Sequence, residues 1–221
     1  MHIIPLTVVD NFFDDPDSVR KWALTLPYSK DPRGRWPGER SPFLHDINPE
    51  FVDYFSKKYF SLFFNFELEP VNWVMDACFQ RIDKDYGQGW VHQDESVRMA
   101  GLIYLTPGAD LRSGTSIYAR SNEAMFAKNK EQSLLAKVSF YNTGRPSLEE
   151  LEPYRKNIAS EFTETVRINN VYNRLVSYDG HLHHGANEFL AEKENTRLTL
   201  VFFVNHLQAD KTPIHRMRSI T

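Results

Sequence analysis

His92-Gln93-Asp94 stands just ahead of Val97-Arg98-Met99-Ala100-Gly101-Leu102-Ile103-Tyr104-Leu105, an apolar run that stops at Thr106-Pro107-Gly108. A run this short, closed by turn residues, reads as a buried strand. Before it, Gly87-Gln88-Gly89-Trp90-Val91 brings the chain in through a flexible turn, so the polar pair faces a core from the start of a strand. On an extended backbone, positions i and i+2 share a face, which suits His92 and Asp94 to one ion. With 8 histidines and 29 acids among 221 residues, composition alone supplies about one His-x-acid pair, so the pair needs company to carry meaning. By itself it is equally a surface turn in which the two side chains hydrogen-bond.

The company lies about 90 residues on. Tyr172-Asn173-Arg174-Leu175-Val176-Ser177-Tyr178-Asp179-Gly180 reads as a strand running into a turn, and His181-Leu182-His183-His184-Gly185 follows, with three histidines in four positions. Beyond it, Arg197-Leu198-Thr199-Leu200-Val201-Phe202-Phe203 is an almost wholly apolar strand with one cation at its mouth, and Arg197 and Thr199 share a face. Two histidines and one carboxylate on a rigid β scaffold occupy one side of an octahedral Fe(II), leaving three positions for a bidentate cosubstrate and O₂.

The rest of the chain supports a mainly β core with helices in front. Residues 71–81 alternate in the period of a strand, and 115–119, 164–168, 171–178 and 196–205 are further strand candidates. Many short strands predict a sandwich or jelly roll. Asp15-Pro16 followed by Val19, Trp22, Ala23 and Leu26 is a capped amphipathic helix ended by Pro27, and Asn48-Pro49 with Phe51, Phe55 and Tyr59 repeats the signal. One domain is expected over 1–221: helical support over 1–70, a jelly-roll core over 71–207 with a helical insertion at about 122–162, and a peripheral tail over 208–221. In residues 30–40, Pro and Gly forbid regular structure, and Arg33, Arg35 and Arg40 surround Trp36. That loop reads either as a clamp for an anionic or peptide substrate or as a solvated loop whose indole packs on the barrel.

Composition narrows the classes. The chain is 41% apolar and 25% charged, the balance of an ordinary globular domain, and at this length it should bury roughly 70% of its unfolded surface. A net charge of −3 gives no field for a polyanion, so a nucleic-acid partner is disfavoured. Cys78 is the single cysteine, which excludes an internal disulfide and fits a reducing compartment. Apolar runs are far shorter than the roughly 20 residues of a spanning helix. Residues 1–5 carry no basic leader and Asp10, Asp14 and Asp15 follow too soon for a secretory apolar run, so a cytoplasmic protein is expected.

The order His92-x-Asp94, distant histidine, then Arg197 resembles the Fe(II)/2-oxoglutarate-dependent dioxygenases. The resemblance is to their prolyl-hydroxylase-like members in 100–107 and in Ser113-Gly114-Thr115, where Gly-Thr stands for a double glycine. Asp10-Asn11-Phe12-Phe13, Asp15-Pro16, Arg20 and Trp36-Pro37-Gly38-Glu39-Arg40 look like an uncharacterised branch of that superfamily, and the likeness runs from about 8 to 203. It implies a double-stranded β-helix of jelly-roll type and a hydroxylase with Fe(II), 2-oxoglutarate and O₂, giving succinate. It also implies metal ligation by His92, Asp94 and a residue of the distal cluster. The family pattern fits His184-Gly185 best there, His183 next and His181 third. Arg197 is then the fork for the far carboxylate of 2-oxoglutarate. Tyr104 and Thr199 either donate to the same cosubstrate or serve packing, and Tyr118, Asn173 and Arg174 either line the mouth or make structural hydrogen bonds.

The substrate expected is a small molecule or peptide; hydroxylation, desaturation and demethylation are not separated, and oligomeric state is open. Two other classes remain. A Zn²⁺ hydrolase or isomerase would use His92, Asp94 and a distal histidine and be indifferent to Arg197. A non-catalytic jelly-roll binding module would be indifferent to His92→Ala apart from stability.

Overall fold

In the computed structural model, residues 4–33, 35–87, 89–94, 96–121, 160–189, 196–211 and 213 are described. The helix signals act as read. In α1 (Pro16–Thr25), Pro16 opens the first turn and the Asp15 carboxylate accepts from the Ser18 amide at 3.0 Å. In α3 (Pro49–Phe60), Asn48 does the same for Phe51 at 3.0 Å. A single turn, α2 (Leu44–Ile47), precedes α3.

Among the described residues, ten strands form two antiparallel sheets. They are β1 (Thr7–Val9), β2 (Ser29–Lys30), β3 (Glu39–Arg40), β4 (Asn72–Asp83), β5 (Met99–Tyr104), β6 (Thr115–Arg120), β7 (Phe162–Ile168), β8 (Leu175–Asp179), β9 (His183–Ala186) and β10 (Thr196–Gln208). The larger sheet runs β1-β8-β5-β10-β4-β3-β2 and the smaller β7-β6-β9. His92 bridges His184, and Gly89 N donates to Ala186 O, so residues 89–92 lie beside β9 as a further member of the small sheet. From β4 onward, with 89–92 counted in the small sheet between β4 and β5, the described strands alternate between sheets except at β6 and β7. That winding is the double-stranded β-helix, or jelly roll.

The long strands place the site through their alternation. On β10, Leu198, Leu200, Phe202 and Val204 join Ala77 and Phe79 of β4 in the core behind the large sheet. There α1 and α3 close over them: Trp22 stands edge-on to Phe79 at 5.3 Å, and Phe55 and Tyr59 meet Phe202 at 5.3 and 4.8 Å. Burying each such ring contributes about 1.5–3 kcal/mol. The opposite set, Arg197, Val201 and Phe203 with Gln80, Ile82, Ala100, Leu102 and Tyr178, lines the space between the sheets. Strand register thus decides which residues reach the cavity.

Several boundaries differ from the sequence reading. Residues 30–40 are not wholly irregular: Ser29–Lys30 pairs with Glu39–Arg40, which pairs onto β4, because Pro32, Pro37 and Gly38 fall in the turn between them. The first 70 residues also add β1 to the edge of the large sheet. Residues 171–174 are not strand, since Asn173 has φ of 62° and breaks extension until Leu175. Its side chain instead accepts from Phe13 N and donates to Phe13 O, both at 2.8 Å. β10 continues to Gln208, opposite Asn72, past the expected end at 205 and into what was read as tail. The expected insertion lies outside the described residues over 122–159; its last expected residue, Phe162, already opens β7. Among the described residues no helix is long and apolar enough to cross a membrane.

Candidate metal and cosubstrate site

The small sheet brings His92 and His184 together by direct backbone pairing, each amide donating to the other's carbonyl at 2.9 Å. Their rings lie 4.3 Å apart between centroids. Asp94 is held two residues on by its amide, which donates to Gly180 O at 2.8 Å. Its Oδ1 lies 3.8 Å from His92 Nε2 and its Oδ2 3.4 Å from His184 Nε2. One ligating atom from each of the three falls within 4.8 Å of the others.

Hydrogen bonding fixes how the imidazoles are presented. His92 Nδ1 lies 2.7 Å from Trp90 O, and His184 Nδ1 lies 2.9 Å from Leu182 O. A carbonyl only accepts, so each Nδ1 carries a proton, and Nε2, the nitrogen turned toward Asp94, is the one each ring offers to a metal. This is how a protein fixes tautomer and orientation in metal-ligating histidines. His184 is 4% exposed and packs against Tyr178, with ring centroids 4.3 Å apart.

The other two histidines of the cluster point elsewhere. His183, one position along β9, projects to the opposite face, where its Nε2 lies 3.3 Å from Arg120 Nη2 and its ring packs on Phe162. His181 is exposed, with Nδ1 3.1 Å from Asp179 Oδ1. Alternation along a strand separates three histidines that composition presents as equals.

Arg197 occupies the other end of the cavity. It is 3% exposed, its Nε donates to Ser113 O at 3.0 Å, and its guanidinium lies 5.2 Å from the Tyr104 ring and 5.9 Å from that of Phe189. Nη2 is buried with no hydrogen-bond partner, and no carboxylate pairs with the group among the described residues. Burial pulls its pKa down, an effect that the Tyr104 and Tyr178 hydroxyls oppose. Thr199, two residues along the same face, also has a buried Oγ1 without a partner. An unpaired charge and an unused hydroxyl at one place are costly unless a ligand supplies the missing partners. Tyr104 donates its hydroxyl to Thr115 Oγ1 at 2.9 Å, so it braces the guanidinium and the Gly-Thr turn. In that turn a Cβ on Gly114 would fall 1.8 Å from Ile168 O, which reserves the position for glycine.

Between the two ends is a cavity of about 400 Å³, lined by His92, Asp94 and His184, by Arg197, and by Arg35, Trp36 and Arg40 among others. A divalent ion fits the donor set of two imidazole nitrogens and a carboxylate, and a dicarboxylate fits the unpaired cation and hydroxyl. Tyr104, Thr199, Tyr118, Asn173 and Arg174 are not among the residues that line this cavity; Tyr104 and Thr199 lie behind it beside Arg197. Arg174 instead pairs with Asp10 through Nη2 at 2.9 Å, tying β1 to the turn before β8. Sequence reasoning missed the carbonyls of Trp90, Leu182 and Ser113, which any residue type supplies. It also missed Tyr178 and Gln80, whose types give no signal on a strand.

Solved structures share this architecture. HygX from Streptomyces hygroscopicus, with nickel and 2-oxoglutarate bound, superposes with a TM-score of 0.53 at 14% identity over 91% of this chain and 83% of its own. A prolyl hydroxylase from Trichoplax adhaerens, in complex with a hypoxia-inducible-factor degradation-domain peptide, gives 0.52 at 13% identity over 90% and 82%. The α-ketoglutarate-dependent epimerase SnoN of nogalamycin biosynthesis gives 0.51 at 7% identity over 91% and 78%. The fold is therefore that of the iron- and 2-oxoglutarate-dependent oxygenases. No curated protein sequence matches the chain significantly. Residues 2–204 match the model of a family of unknown function, DUF6445, and the chain belongs to that family.

Proposed function

We propose that the protein is an Fe(II)- and 2-oxoglutarate-dependent oxygenase that hydroxylates a C–H bond of its substrate while 2-oxoglutarate is converted to succinate. The observation that carries this reading is one cavity with two unlike, complementary ends. Two histidine Nε2 atoms and a carboxylate converge at one, and a buried guanidinium with an unpartnered Nη2 waits at the other. Iron and 2-oxoglutarate together supply O₂-dependent oxidation, which the side chains alone do not provide.

His92, Asp94 and His184 would hold the metal from one side, their orientation set by the Trp90 and Leu182 carbonyls. Arg197 would bind the far carboxylate of 2-oxoglutarate as a charge-assisted pair, with Thr199 Oγ1 beside it. We assign Tyr104 to positioning, because its hydroxyl already serves Thr115 and its ring lies under the guanidinium. The apolar walls of Ala100, Leu102 and Val201 would exclude water from the reacting centre. A zinc hydrolase or isomerase has no use for Arg197, and would leave a buried cation without an anion.

Anaerobic addition of Fe(II) and 2-oxoglutarate to the apoprotein tests the reading. The expected result is a visible charge-transfer band of the chelate, lost in Asp94→Ala and weakened in Arg197→Gln. Folded wild-type protein that gives no band overturns the proposal.

A further inference from the structure

The same cavity holds a second cation that neither metal nor cosubstrate uses. Arg40 on β3 stands directly opposite Gln80 on β4, and opposed residues of a ladder project to one face, here the cavity face. Its guanidinium lies over the Trp36 ring at 4.3 Å and the Phe203 ring at 5.4 Å. Its Nε is sealed from solvent without a partner, and no carboxylate pairs with it among the described residues. Arg35, next to it on the Trp36 ring, differs: Asp31 holds it through Nε at 2.9 Å and Nη2 at 3.1 Å. Burial lowers the Arg40 pKa, and the groups whose fields oppose that are Cys78, then Asp94 of the metal triad and Asp31, which is spent on Arg35.

Charge balance isolates Arg40. Among the described residues, and apart from histidines, the charged side chains lining the cavity are Arg35, Arg40, Arg197 and Asp94. Asp31 neutralises Arg35. A divalent ion, Asp94, a 2-oxoglutarate dianion and Arg197 then sum to zero, and the charge on Arg40 is left over. The two guanidiniums lie on different rings, Arg40 on Trp36 and Phe203 and Arg197 on Tyr104 and Phe189, so they serve separate stations. Contact with two rings fixes the plane of the guanidinium, and a fixed planar fork matches a carboxylate better than a spherical ion.

Resting on the oxygenase reading, we infer that Arg40 anchors the substrate itself, and that the substrate is a carboxylate. Its negative charge sits on the fork beside Trp36 and Phe203 while the carbon to be oxidised faces His92, Asp94 and His184.

The test uses holoprotein, anaerobic and saturated with Fe(II) and 2-oxoglutarate so that Arg197 is occupied. Calorimetric titration compares benzoate, neutral benzamide and inorganic phosphate. Benzoate should bind about tenfold or more tightly than benzamide, and Arg40→Gln should abolish that preference without changing benzamide. Arg40→Lys keeps the charge but loses the fork, and should weaken benzoate several-fold; it carries the test if Arg40→Gln does not fold. Equal binding of benzoate and benzamide, or a preference that survives Arg40→Gln, overturns the inference. Arg40-dependent binding of phosphate in preference to benzoate overturns the carboxylate class. The chelate band of the same sample reports on the oxygenase reading separately: a band without benzoate preference sinks only the role of Arg40, while its absence sinks the frame both share.

Discussion

Arg197→Met separates what the fold needs from what the site needs. In the ligand-free protein, the guanidinium bears a desolvation cost of several kcal/mol with no acid among the described residues to offset it. Against that stand one charged hydrogen bond to Ser113 O, about 1.5–3 kcal/mol, and two ring contacts near the outer limit, about 0.5–1 kcal/mol each. Removing the cation does not orphan Ser113 O, which keeps Asn170 Nδ2 at 3.4 Å. The two sides nearly cancel, so the apo variant should lie within about 1 kcal/mol of wild type, or about 4 °C in Tm for a chain this size. With Fe(II) present, 2-oxoglutarate at a hundredfold over its Kd stabilises wild type by about 2.7 kcal/mol, a rise of about 5–11 °C. Loss of about 2 kcal/mol of contact to the far carboxylate raises Kd roughly thirtyfold and shrinks that rise to about 3 °C. Anaerobic calorimetric unfolding with and without 2-oxoglutarate reads both numbers. Equal ligand-induced shifts in the two proteins, or an apo variant destabilised by more than about 3 kcal/mol, would refute the reasoning.

Asn173→Ala removes two buried bonds to the Phe13 backbone and places a Cβ residue at φ of 62°, so urea unfolding should show a loss of about 3–5 kcal/mol. Asn173→Gly, free of the conformational part, should recover about 1 kcal/mol of it. Gly114→Ala forces a Cβ into Ile168 O, and should cost more than about 3 kcal/mol in thermal unfolding while weakening 2-oxoglutarate binding through Thr115 and Tyr104. The side-chain bond from Arg35 holds the Asp31 carboxyl below its ordinary pKa. Its contribution is therefore present above the unfolded value near 3.9 and lost as pH falls through the folded one. Wild type should lose more stability than Asp31→Asn between about pH 5 and about pH 2 in denaturant titrations; equal losses count against that pair.

The elements that sequence displays are those whose cause is local. Asp15-Pro16 and Asn48-Pro49 mark helix starts because capping acts over three residues, and β4, β5 and β10 are legible because alternation is a property of one strand. β2, β3 and β9 are not, because two- and four-residue strands take their conformation from the neighbours they pair with. Asn173 shows the same limit from the other side. In sequence it stands inside a strand candidate, and the distant Phe13 backbone, which it satisfies, explains why the chain turns there.

At the site the legible part is the part that must be a particular residue. A carboxylate and two imidazoles announce themselves, and so does one cation at the head of an apolar strand. Which of three histidines faces the cavity is a question of register, and β6 answers it by pairing Ile117 with His184 and Tyr118 with His183. Arg40 is the harder case. Three arginines around one indole look alike in sequence, yet Asp31 neutralises Arg35, while pairing onto β4 turns Arg40 toward the cavity without an acid. A half-buried cation whose Nε is sealed from solvent without a partner lowers stability, so its retention needs a compensating role. In this cavity the available role is to meet an anion, and there are two such arginines for two anions.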